Sequence, residues 1–246
     1  MADDAVLDDA VFDDAVLDNA VWHALNGRHA HLAESYGAAR RYPTEVAPFG
    51  AVGALDAGGW ADLAAAARAG SPDDPVTAVL FRAGLGEPPP GWTEAFGGDA
   101  RQMVLDALAP APIPPTRPLT AADVPQMLDL VERTRPGPFR TRTIELGGYH
   151  GVFDGDRLVA MAGERLRVPG FTEVSAVCTD PDARGRGLAS GLSTVVARAI
   201  LDRGETPFLH HAVGNDAARR VYEELGFRDR AGVRFVSYRP PPAWGG

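Results

Sequence analysis

Apolar positions in the second half of the chain fall into alternating helix-like and strand-like runs. Val124, Met127, Leu128, Leu130 and Val131 recur at three- and four-residue steps, which predicts an amphipathic helix over Ala121–Thr134. Thr120 or Asp123 can cap its start, and Pro125 is tolerable there because it lies in the first turn. Tyr149–Phe153 and Leu158–Ala162 flank Asp154-Gly155-Asp156, a hairpin signal. Glu173–Thr179 is short, apolar-rich and closed by Asp180-Pro181, so it reads as a strand. Leu188, Leu192, Val195, Val196 and Ile200 then mark one face of a helix reaching about Arg203. A strand over Pro207–Ala212 and a helix opening at Asn215 follow.

The first half carries a weaker pattern. Trp60–Ala69 and Arg101–Leu108 read as helices, Val76–Phe81 as a strand, and Glu87–Gly91 as a turn-rich break. Five prolines between Ala109 and Pro118 predict a stiff, extended connector. The chain therefore divides into an N-terminal α/β region (23–109), a linker (110–118) and a C-terminal domain (119–246).

Ahead of these stand four copies of a five-residue unit, from Asp3-Asp4-Ala5-Val6-Leu7 to Asp18-Asn19-Ala20-Val21-Trp22. A period of five matches neither the strand nor the helix repeat, so residues 1–22 are expected to be a disordered acidic tail. A partner-binding segment with spaced apolar anchors is the competing reading.

Charge changes the picture only locally. The net charge is −9, but residues 3–18 hold seven aspartates and no basic residue, which leaves −2 for the rest. Nothing in that balance points to nucleic acid. All 24 basic residues are arginine, as a GC-rich genome would give. Cys178 is the single cysteine, so an intrachain disulfide is excluded. No stretch has the length and apolarity of a membrane span, and a cytoplasmic protein without a membrane partner is expected. His29-Ala30-His31 lacks a nearby third ligand, so no metal is expected.

The candidate chemistry lies between the strand ending at Thr179 and the helix after it. Arg184-Gly185-Arg186-Gly187 opens that helix. A helix N-terminus presents unpaired N–H groups and a positive dipole end, which together bind anions. Gly185 and Gly187 allow a phosphate close to the backbone, and the two arginines add permanent charge. A dinucleotide fingerprint does not fit, because Ser190 stands where a third glycine is needed.

Arg184-x-x-Gly187-x-Ala189, with Asn215, Tyr222 and Gly226-Phe227 in order behind it, resembles the signature of the GNAT superfamily of N-acetyltransferases. The likeness covers roughly Leu119–Arg239, and more narrowly it resembles the branch that includes glycine N-acyltransferase-like proteins. It implies an α/β (α+β) fold: a mixed, mostly antiparallel sheet flanked by helices and splayed by the co-substrate. The N-terminal region would be a degenerate GNAT-like half. It implies acetyl-CoA as co-substrate, direct transfer to a small-molecule amine acceptor, and no role for Cys178. A homodimer is compatible with it. By resemblance, Val177 and Thr179 offer backbone groups, Arg184, Gly185, Arg186, Gly187, Leu188 and Ala189 hold the pyrophosphate, and Asn215 contacts the pantetheine arm.

Attack on a thioester needs a neutral amine, which calls for a general base, and the departing thiolate benefits from an acid. Glu173 is the candidate base, Glu164 its rival and Asp180 a turn residue; Tyr222 is the candidate acid. Arg135, Arg140 and Arg142, in a proline-rich loop, are candidates to grip an acceptor carboxylate. A peptide or protein acetyltransferase, or a catalytically silent CoA-binding module, remain the alternatives.

Overall fold

The computed structural model describes residues 13–242. Eleven strands form one sheet: β1 (Glu34–Tyr36), β2 (Ala39–Arg41), β3 (Phe49–Ala51), β4 (Val79–Arg82), β5 (Thr93–Leu105), β6 (Arg117–Pro118), β7 (Tyr149–Asp154), β8 (Arg157–Val168), β9 (Phe171–Thr179), β10 (Thr206–Ala212) and β11 (Phe227–Arg239). Five α-helices accompany them: α1 (Ala20–Leu25), α2 (Ala57–Gly70), α3 (Val124–Thr134), α4 (Leu188–Leu201) and α5 (Asp216–Glu224). The strand order is β1-β2-β3-β4-β11-β5-β10-β9-β8-β7-β6. Helices α1 and α3 cover one face, called the front here, where Phe81, Phe208, Met161 and Cys178 point. Helices α2, α4 and α5 cover the back.

From β6 onward the element order is the one the apolar pattern predicts. Thr120 and Asp123 make a reciprocal capping box before α3, and Pro125 sits in its first turn. Gly155 takes the β7–β8 turn at φ 59°.

The first half departs from expectation in three ways. Arg101–Leu108 is not a helix: residues 101–105 belong to β5, paired antiparallel with both β10 and β11. Its residues alternate between two cores, Ala100 on the front and Met103 and Leu105 on the back. Burial on both faces overrides the helix preference of Arg, Gln, Met and Leu. Second, β5 lies between two strands of the C-terminal half, so residues 23–109 build no sheet of their own among the described residues. Third, the linker is docked: Pro112 and Pro114 lie against α4 at Gly191, whose missing side chain makes room for them.

The acidic repeat is also corrected in part. Its first two units lie outside the described residues, but the third and fourth are folded. Leu17, Ala20 and Val21 are buried, with Ala24 and Leu25 continuing the face. Positions 17, 20, 21, 24 and 25 have helical spacing, which appears only where the repeat runs into His23-Ala24-Leu25.

Strands β9 and β10 are parallel and joined through α4, but they pair only over Phe171–Val174 and Thr206–Leu209. Above that they part. The β8–β9 register slips between Met161/Gly163 and Cys178/Ser175, and Ala176 stands at φ 52°. The extra residue is a β-bulge, which bends β9 away and leaves a wedge-shaped gap.

Candidate active site

The gap has a polar wall. Asp180 N–H donates to the Val159 carbonyl across β8 at 2.8 Å. Alternation then turns the Thr179 and Val177 N–H groups to the opposite edge, into the gap. Val177 and Thr179 are half-buried, and the Thr179 hydroxyl is buried without a hydrogen-bond partner. A buried orphan of that kind costs about 1–3 kcal/mol unless something fills it.

At the head of α4 lies a cradle. Gly185 and Gly187 adopt φ 75° and 71°, left-handed values that favour glycine, and nothing lies within 4 Å of where their side chains would begin. The amides of residues 185–190 donate to no acceptor among the described residues; the first helical bond runs from Gly191 N–H to Gly187 O. Arg184 and Arg186 are exposed beside them, and the Arg184 side chain donates to the Thr179 carbonyl at 3.5 Å. Leu188 is buried and Ala189 half-buried, anchoring the helix to the sheet. Open space, unspent donors and positive charge fit a pyrophosphate.

Tyr222 comes from α5 into the back-face core, where its ring meets Phe227 edge-on at 6.1 Å. Burial pushes its hydroxyl up to about 12, with the charges of Cys178 and Glu173 adding to the shift. It is therefore a protonated donor at neutral pH. Asn215 caps α5, its side chain accepting from Ala218 N–H at 3.1 Å. Burial pushes the Cys178 thiol up to about 11, so it is no thiolate nucleophile.

Glu173, the candidate base, is already engaged by its neighbours. It is fully buried, and both oxygens are taken: Arg165 donates at 2.8 and 2.5 Å, and His210 Nδ1 lies 2.6 Å away. Burial opposes its charge, but Arg165 and His210 outweigh that and hold it at about 2. Glu164 is likewise committed, to Arg203 at 2.8 Å. Asp180 is a turn residue, accepting from Asp182 N–H and Arg157. Arg142 is paired with Glu145, whereas Arg135 and Arg140 are exposed without an ion-pair partner among the described residues.

Sequence reasoning missed Arg165, Gln102 and Arg230. The one available signal was an arginine inside the apolar run Leu158–Val168, opposite a glutamate in a second such run. Charges there must find each other. His210 joins Glu173 on the front, and the neighbouring His211 is buried with Nε2 unpartnered.

A gap between parallel strands, edged by free amides and ending at an anion cradle, is the site expected of an acyl-CoA-dependent N-acyltransferase. Comparison with known proteins agrees. The FR47-like protein family model matches residues 149–236. A crystal structure from Novosphingobium aromaticivorans DSM 12444, described as a GNAT-family acetyltransferase, is 37% identical with a TM-score of 0.81, covering 91% of this chain and 98% of that one. A mycothiol acetyltransferase of Mycobacteroides abscessus is 44% identical over 63 residues, 25% of this chain; the match spans only 21% of that relative's length. A Drosophila protein at 18% identity and TM-score 0.52, covering 61% of this chain and 54% of its own, shares the fold. The chain belongs to the GNAT family of acetyltransferases.

Proposed function

We propose that this protein moves an acetyl group from acetyl-CoA to a primary amine of a small, amino-acid-like molecule, by direct transfer. The observation that carries the reading is the gap between β9 and β10 with the open cradle at its end. The residue 185–190 amides, with Arg184 and Arg186, would hold the pyrophosphate. The Val177 and Thr179 N–H groups would serve the pantetheine arm and the thioester carbonyl, and Asn215, at the start of α5, would contact that arm. Bound acetyl-CoA supplies the activated acyl carbon. In the transfer a C–N bond forms and the C–S bond breaks; the amine releases a proton to water, and the sulfur gains one from a donor that water reprotonates. Tyr222, buried and protonated, is the donor toward that sulfur. Glu173 keeps its negative charge within a buried neutral group rather than accepting the amine's proton directly.

A small acceptor is favoured by the roof over the front face. The loop after α3 is tied to the N-terminal region by Arg142 N–H to the Glu45 carbonyl, 2.9 Å, and by the Thr143 hydroxyl to the Val46 carbonyl, 2.7 Å. That leaves less room for an extended peptide. Arg135 and Arg140, exposed and without an ion-pair partner among the described residues, would hold the acceptor's carboxylate, in keeping with the likeness to glycine N-acyltransferase-like proteins.

The test is thiol release from acetyl-CoA across a panel of amino acids, small amines and peptides. Turnover with a small amine is expected, and Tyr222→Phe should lower kcat by about 100-fold with acetyl-CoA affinity unchanged. Turnover with peptides alone would overturn the acceptor class.

A further inference from the structure

A hydrogen-bonded chain runs from the acidic repeat to Glu173, and its chemistry permits one direction only. Arg230, on β11, donates from Nε to Asp14 Oδ2 (2.9 Å) and from Nη1 to both Asp18 Oδ1 (2.8 Å) and Gln102 Oε1 (2.9 Å). A guanidinium only donates, so the amide oxygen of Gln102 must face it. The amide nitrogen then faces the Leu17 carbonyl and His210 Nε2, both at 3.0 Å. The Leu17 carbonyl only accepts, which fixes the same orientation from the other side. His210 Nε2 must therefore accept, its proton sits on Nδ1, and that proton points to Glu173 Oε1 at 2.6 Å. Gln102 is fully buried, so a reversed link would leave facing donors without water to relieve them.

The groups facing His210 are Glu173 from β9, Arg165 from β8 through that carboxylate, Gln102 from β5, Phe81 from β4 at 4.4 Å between ring centres, and its neighbours Phe208 and His211.

We propose that Gln102 is a positioning residue that fixes His210 as the neutral Nδ1–H imidazole holding Glu173, and that the folded end of the acidic repeat holds Gln102 in turn. Its bearing on catalysis rests on the acetyltransferase reading. With His210 neutral, Arg165, Glu173 and His210 together carry no net charge beside β9, the strand that would receive the acetyl group. A protonated His210 would put a positive charge there and oppose a cationic amine.

The experiment is a two-bond proton–nitrogen NMR spectrum of the full chain carrying labelled histidine, at about pH 7.5, with His210→Gln supplying the assignment. The wild type should show His210 protonated on Nδ1 and bare on Nε2. Gln102→Glu offers Nε2 only oxygens, so His210 should become protonated on both nitrogens. Asp14 and Asp18 are at least half exposed, so an Asp14→Ala, Asp18→Ala variant should fold and shift the Nε2 signal. A wild-type proton on Nε2, or on both nitrogens, overturns the proposal even if Gln102→Glu does not fold. An unshifted Nε2 signal in the double variant overturns the part given to the repeat. No spectrum here needs acetyl-CoA, so the expected tautomer in a protein that binds no acetyl-CoA would sink the acetyltransferase reading alone.

Discussion

Three buried side chains, His29, His210 and Glu173, shape how the protein responds to acid. Burial pushes His29 down to about 4, aided by His31 and Arg167, so it stays neutral while the unfolded chain titrates near 6.5. The unfolded state then binds a proton that the folded state refuses, and stability falls as pH drops from 6.5 toward 4, by roughly 3 kcal/mol for this group. His210 is shifted in the same direction by burial, against the pull of Glu173. Glu173 acts lower down: held at about 2 against an ordinary 4.5, it stabilises the fold above 4.5, and that support drains away as pH falls from 4.5 to 2. Denaturant midpoints should therefore decline between about pH 7 and pH 5 before most carboxylates protonate. A midpoint flat over that window would contradict the neutral buried imidazoles.

At the level of elements, the docked linker makes a sharp prediction. A side chain added at Gly191 would put a carbon 2.6 Å from the Pro112 carbonyl oxygen and closer still to Pro114. Gly191→Ala should therefore destabilise by about 1–3 kcal/mol in thermal melts, although alanine is the better helix former. A linker that merely spans the halves would give a stabilised variant instead. The elements after Leu119 were legible because each carries its own period and punctuation: the capping box at Thr120, Asp154-Gly155 at the hairpin, the glycines before α4. Strand β5 was not, because its pairing partners lie more than a hundred residues away and its residues favour helix. In the site, the cradle could be read from Gly185 and Gly187, whose conformations are local. The commitment of Glu173 to Arg165 and His210 could not, since it depends on strand register and on what covers the front face.

The whole molecule is one sheet whose centre is borrowed from the N-terminal half. β5 fills the place between β10 and β11, and α1 roofs the front, so residues 13–105 are part of the fold that holds the gap. Leu17, at 1% exposure inside the third repeat unit, measures this directly. Leu17→Ala should cost about 2–5 kcal/mol. A disordered tail would lose nothing, and equal melting temperatures would show it.

The central claim is that the gap and the head of α4 form an acetyl-CoA site. Calorimetry with acetyl-CoA on the wild type and on an Arg186→Glu, Gly187→Glu double variant tests it most directly. The account predicts micromolar binding to the wild type that the double variant loses while remaining folded. Absence of binding to the wild type, or equal binding to both, would contradict it.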